Sequence, residues 1–112
     1  MFEIRNYHYD PKKFDAYKEW AIKEAVPFLK ANLDIIGFWI DNGDKPEMLG
    51  SDPDANKHGS ANVTWIIRWG SQEAREKGHK EVFQGDGWQA IWSRHPDANG
   101  YLQMEAKFAE EL

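Results

Sequence analysis

Asn6, His8 and His79 are polar side chains set among apolar neighbours, and two of them are imidazoles. Asn6 and His8 share one face of a short alternating segment with Phe2 and Ile4, an otherwise apolar set. His79 falls in a later helical stretch, directly after Gly78. This pattern makes Asn6 and His79 the candidate catalytic residues, with His79 suited to general acid or base work. His8, Trp65, Trp88 and Trp92 stand as substrate-binding residues around them, and the small Ala74 and Gly78 would open volume above the sheet. Such a pocket would suit a flat aromatic or polyketide-like molecule. In the plain alternative, His8 ends its strand in solvent, His79 lies on the outer face of its helix, and the rings simply fill the core.

A second group is Arg5, Tyr7, Trp39 and Arg68, with Glu105. Arg beside Tyr suits a carboxylate, which a guanidinium meets with paired hydrogen bonds. The competing reading is a charge-paired subunit interface, where Arg and Tyr are common.

Other chemistries lack residues. There is no Cys, which removes disulfides, thiolate nucleophiles and Cys-based zinc sites. No Gly-x-Ser-x-Gly, His-Glu-x-x-His, phosphate loop or Gly-x-Gly-x-x-Gly occurs. Asp52, Asp54, Asn56 and His58 alternate as calcium ligands do, but Lys57 stands where the loop needs Gly and Val63 where it needs a bidentate Glu. The net charge is -5 without a basic run, so no nucleic-acid partner is expected. No apolar run approaches the ~20 residues of a membrane span. Met1 leads at once into Phe2-Glu3-Ile4-Arg5 with no signal-like segment, so a soluble cytoplasmic protein is the expectation.

The elements that must position these residues centre on Asn62 to Trp69, eight residues rich in β-branched and aromatic side chains and apolar on both faces. Met1 to His8 is a period-two strand, with Phe2, Ile4, Asn6 and His8 on one face and Glu3, Arg5 and Tyr7 on the other. Asp10 caps a helix from about Pro11 to Ala31, whose stripe is Phe14, Tyr17, Ala21, Ala25 and Phe28. Pro27 predicts a kink there, and Asn32 a left-handed end. Ile35 to Ile40 is a strand, followed by a long polar loop over 41–61. Ser71 caps a second helix, Asp86 a short third one, and Tyr101 to Ala109 is the last strand.

The 112 residues then form a single domain, 1–112, of the α+β class: a ferredoxin-like β-α-β-β-α-(α)-β arrangement with a four-stranded antiparallel sheet and helices on one face. The other sheet face, carrying Ile35, Trp39, Ile66 and Tyr7 beside Glu3, Arg5, Arg68 and Glu105, is too apolar for water and too charged for a core. A homodimer with sheets face to face, a dimeric α/β barrel, resolves that conflict.

The sequence resembles the NIPSNAP family of the dimeric α/β-barrel superfamily. The resemblance is carried by Glu3-Ile4-Arg5-Asn6-Tyr7, Gly37-Phe38-Trp39, Val63 to Trp69 running into Ser71-x-Glu73-Ala74-Arg75, and Asp86-Gly87-Trp88. It covers nearly the whole chain outside 41–61, and it implies the barrel dimer without a settled activity. The wider superfamily includes cofactor-free monooxygenases, haem-degrading enzymes, decarboxylases and isomerases. Haem degradation is disfavoured: Asn6 fits its pattern, but Gly78 and Trp92 stand where a Trp and an axial His belong. No cofactor is expected. The Asn6/His79 pocket, read by analogy with that wider superfamily, suggests an oxygenase or isomerase acting without one on a small aromatic or carbonyl compound; the alternative is a non-catalytic small-ligand-binding or protein-interaction module.

Overall fold

The computed structural model describes residues 1–112. Strand β1 is Phe2–Tyr9, β2 is Ile35–Ile40, β3 is Val63–Arg68 and β4 is Tyr101–Ala109. They pair antiparallel in the order β2-β3-β1-β4, so β3 and β1 are central. The connections β1–helix–β2 and β3–helices–β4 each skip one strand, which gives the ferredoxin-like arrangement. No helix is long and apolar enough to cross a membrane.

The first helix begins at a 3-10 turn, Pro11–Lys13, whose backbone the Asp10 side chain caps through Lys12 N–H. It continues as Phe14–Trp20, a π turn at Ala21–Ala25, and Val26–Asn32. Pro27 follows that wide turn by two residues. Because Pro27 has no N–H to donate, the regular ladder is interrupted here, and Val26 N–H reaches back five residues to Ala21. The helix ends on an extended Leu33 and no non-glycine residue has positive φ, so Asn32 is not a left-handed cap. Its side chain instead donates to Phe28 O at 2.8 Å. The second helix, Gln72–Gly78 with a π turn at His79–Phe83, is capped by Ser71, whose hydroxyl accepts from Ala74 N–H at 3.0 Å. The third, Asp86–Trp92, has Gly85 at its cap and Asp86 inside its first turn, so Asp86 is not the cap.

β3 faces as its pattern demands: Val63, Trp65, Ile67 and Trp69 are buried beneath the helices. In β1 the alternation holds but its sense is reversed. Glu3, Tyr7 and Tyr9 are buried on the helix side, so Phe2, Ile4 and Asn6 lie on the open face. Two tyrosines bury more surface than Phe2 and Ile4 do, and the buried carboxylate of Glu3 is compensated by three donors. A bulge at Ile36 turns Ile35 to the helix side against Ile67 and leaves Ile36 exposed. A second irregularity opposite His8 and Tyr9 places Tyr101 against Tyr9, again on the helix side. The open face therefore carries Phe2, Ile4, Asn6, Trp39, Thr64, Ile66, Arg68, Glu105 and Lys107, rather than Glu3, Arg5, Tyr7, Ile35 and Tyr101.

Candidate functional site

A cavity of about 330 Å³ lies between the sheet and the helices. Its floor is two cross-strand rows. Phe38, Trp65 and Arg5 sit side by side across β2, β3 and β1, and Tyr7 and Met104 pair across β1 and β4. Tyr17, Trp20, Ala25 and Leu29 of the first helix form one wall. Phe83, Trp88, Gln89 and Trp92 form the other, with Tyr101 at the end. The helices that carry these walls are tied together by Trp20, whose indole N–H donates to Ile91 O at 3.0 Å.

Arg5 supplies the only charge in this lining. Its Nε donates to Glu3 Oε2 at 2.7 Å, its Nη1 to the Tyr7 hydroxyl at 3.2 Å, and its guanidinium lies 5.3 Å from the Trp65 ring centroid. Glu3, fully buried, also accepts from Arg75 Nε at 2.7 Å and Trp69 Nε1 at 3.0 Å. Burial raises the Glu3 pKa, but the Arg75 hydrogen bond, the Arg5 charge and the Trp69 bond outweigh it and hold the carboxyl below its ordinary range. Burial works against the Arg5 charge, and the Tyr7 and Glu3 contacts more than restore it.

The four tyrosines of the chain gather at one end. Tyr101 makes edge contacts with Tyr7, Tyr9 and Tyr17 at centroid separations of 5.4, 5.0 and 5.8 Å. Burial pushes the Tyr17 and Tyr101 hydroxyls far above their usual range, so both remain protonated donors. His95 bonds the Tyr101 hydroxyl at 2.8 Å, and burial lowers its pKa despite the nearby Asp97.

The structure divides the sequence-derived residues differently from the pattern. Trp65, Trp88 and Trp92 line the cavity, and Arg5 and Tyr7 join them there because β1 is turned over. Asn6 does not. It lies on the open face, where its Oδ1 accepts from the Thr64 hydroxyl at 2.7 Å. His79 stands behind the lining, 4.9 Å from Phe83 and 6.1 Å from Trp69 between ring centroids. Its Nε2 is buried without a partner, and burial followed by the Arg75 charge lowers its pKa. His8 is buried rather than solvated: Nε2 donates to Gly59 O at 2.9 Å, tying β1 to the 41–61 loop. Trp39 and Arg68 lie on the open face, away from Arg5 and Tyr7. The space expected above Gly78 is taken by the Trp69 ring, which a Cβ there would meet at 2.5 Å.

Glu3, Tyr17, Trp20, Phe38, Phe83 and Tyr101 are the parts of the site that residue pattern misses. The available signal was the odd-numbered run Glu3-Arg5-Tyr7-Tyr9, which puts charge and hydroxyl on one strand face.

No family model and no curated protein matches the sequence. Solved structures do match. An uncharacterised NIPSNAP domain protein from Burkholderia xenovorans superposes with a TM-score of 0.72 at 14% identity, over 99% of this chain and 93% of that one. A NIPSNAP family protein of unknown function from Agrobacterium tumefaciens gives 0.68 at 18% identity, over 95% and 82%. A second one from that organism gives 0.70 at 16% identity, over 95% and 80%. At these identities the likeness establishes the fold, and it supports the family resemblance carried by the sequence motifs: this chain has the fold of the NIPSNAP proteins.

Proposed function

We propose that this chain binds a small, flat, largely apolar carbonyl or aromatic compound in the cavity between sheet and helices. On this reading it acts as a cofactor-free oxygenase or isomerase, through a substrate oxyanion. The volume is at the low end of the roughly 300–1,000 Å³ of ligand sites, which suits a small ring system. The observation that carries the reading is the Arg5–Tyr7 pair, hydrogen-bonded at 3.2 Å on the floor of an aromatic cavity. Hydrogen-bond donors preset in a dry site stabilise a developing oxyanion.

One observation favours a second reading, non-catalytic ligand binding. No carboxylate or imidazole lines the cavity, so the lining offers no group to accept a substrate proton at neutral pH. Titrating small cyclic ketones and phenols against tryptophan fluorescence, then following turnover in air, separates the two. Binding with turnover that Tyr7→Phe and Arg5→Lys each diminish supports the enzyme. Binding without turnover selects the second reading, and no binding of either class sinks the enzyme reading.

We also infer that two copies pair through the open sheet face. Trp39 is 50% exposed there, beside Ile66 and Ile4. Glu105 shares the face with Arg68 and Lys107, so a two-fold axis can set opposite charges together. The isolated chain exposes 7477 Å² at 13.0 kDa, against roughly 6,300 Å² expected from mass, and part of the excess lies in the irregular 41–61 loop.

A further inference from the structure

We propose that the ligand of this cavity is an organic monoanion, a flat aromatic or alicyclic carboxylate, whose charged end sits on Arg5 and the indole N–H of Trp65. The proposal rests on the cavity being a ligand site and goes beyond it by naming the ligand's charge.

Two independent observations point to an anion. The first is the charge count beneath the floor. Glu3 is one carboxylate bonded by two guanidiniums, Arg5 and Arg75, so the cluster keeps one positive charge in surplus. No Asp, Glu or other charged side chain lines the cavity to offset it. Arg75 lies 4.9 Å from the Phe108 ring centroid and is absent from the lining, so the surplus reaches the cavity through Arg5. Arg5 commits Nε to Glu3 and Nη1 to Tyr7, and Nη2 makes no hydrogen bond within the chain.

The second observation is Trp65. The residue is 4% exposed, its ring lines the cavity, and its Nε1 has no hydrogen-bond partner. A buried donor left unsatisfied is costly, and a ligand oxygen removes that cost. Trp65 and Arg5 are direct cross-strand partners on β3 and β1, so one carboxylate can address both. The Tyr7 hydroxyl accepts from Arg5 and keeps its own proton to donate. These groups all present protons. A neutral amide, which brings donors of its own, gains less here than a carboxylate that only accepts.

The test compares matched probes: benzoate and 2-naphthoate against benzamide and 2-naphthamide, titrated into the full chain by tryptophan fluorescence and calorimetry. The expected result is a preference for acid over amide of roughly ten- to a hundredfold, since charge-assisted hydrogen bonds are about twice as strong as neutral ones. Arg5→Met should abolish the preference, and Trp65→Phe, which keeps an aromatic ring and removes the N–H, should reduce it several-fold, acid affinity falling more than amide affinity. If Arg5→Met does not fold, Trp65→Phe and Tyr7→Phe carry the test. Equal affinity for acid and amide in the unaltered protein overturns the anion proposal and leaves the cavity a ligand site. Failure of all four probes to bind at millimolar concentration overturns both.

Discussion

The Tyr101 hydroxyl lies 2.8 Å from Nε2 of His95, whose Nδ1 accepts from the Asp97 backbone N–H at 3.1 Å. A ring nitrogen that accepts carries no proton, so in neutral His95 the proton is on Nε2 and is donated to Tyr101. The Tyr101 hydroxyl proton must then point elsewhere, toward Tyr17 or the cavity. Burial keeps the ring neutral by lowering its pKa, against the opposing pull of Asp97.

This linkage predicts a coupled pair. His95→Phe removes one donor and one acceptor and should cost about 1–3 kcal/mol in denaturant unfolding. Tyr101→Phe leaves the imidazole N–H unpaired, so a double-mutant cycle should return a coupling of about 1 kcal/mol. Additive losses would mean that the contact contributes nothing beyond packing. The pH sign also follows. With a depressed folded pKa, His95 leaves stability fully present above the ordinary histidine value. Stability falls as the unfolded chain takes up protons below that value. His95→Phe should weaken this loss on mild acidification.

Glu3 predicts a separate change at lower pH. Its folded pKa is depressed, net of a burial effect that acts the other way, by Arg75, Arg5 and Trp69. The resulting stability is present above the ordinary carboxylate value and disappears as pH falls through the folded one. Glu3→Gln should therefore be strongly destabilised at pH 7, by about 3–5 kcal/mol for a broken buried pair. Its deficit should narrow under acid conditions. A constant deficit across thermal melts from pH 7 to pH 3 would show that Glu3 is not ionised in the fold.

Close packing at glycine gives a sharper contrast. A Cβ at Gly100 would stand 2.3 Å from the Tyr9 ring, which is fully buried and hydrogen-bonded through its hydroxyl to Asp97 O. A Cβ at Gly70 meets nothing within 4 Å. Gly100→Ala should lose about 1–3 kcal/mol by overpacking. Gly70→Ala should be neutral or gain up to about 1 kcal/mol through the unfolded chain. Similar unfolding midpoints for the two variants would contradict the close approach of the Gly100 backbone to Tyr9.

How much of this was legible in the sequence depends on how local its cause is. The Ser71 cap, the Asp10-Pro11 helix start and the β2 and β4 bounds follow from neighbouring residues, and they are found where pattern puts them. The facing of β1 has no local cause. Glu3 goes inside because Trp69 and Arg75, 66 and 72 positions away, satisfy it. That one reversal brings Arg5 and Tyr7 into the cavity beside Trp65 and sends Asn6 to the opposite face, where Trp39 and Arg68 stay. The bulge at Ile36 has the same character, since period-two counting has no means to register an extra residue. Gly78 is a third case: a missing side chain signals either space or contact, and here the Trp69 ring fills it.

The open sheet face carries the last prediction. Trp39 lies exposed next to Thr64, with Ile66 and Ile4 adjoining, and one face of the sheet has no helix over it. If a second copy covers that face, Trp39 lies in the apolar part of the contact, and a charge there would be buried without a partner. Trp39→Glu should then convert a dimer to a monomer in sedimentation equilibrium at micromolar concentration, because the two-fold buries two uncompensated charges, roughly 6–10 kcal/mol together against about 8 kcal/mol for a micromolar dimer. It should leave the fold of the single chain intact, since Trp39 lies outside the helix-side core. A Glu105→Lys variant should weaken the dimer by less, and chiefly at low salt, as expected for a screened rim charge. An unaltered protein that sediments as a monomer at a hundred micromolar would end the inference, and the exposed Trp39 would then need another occupant.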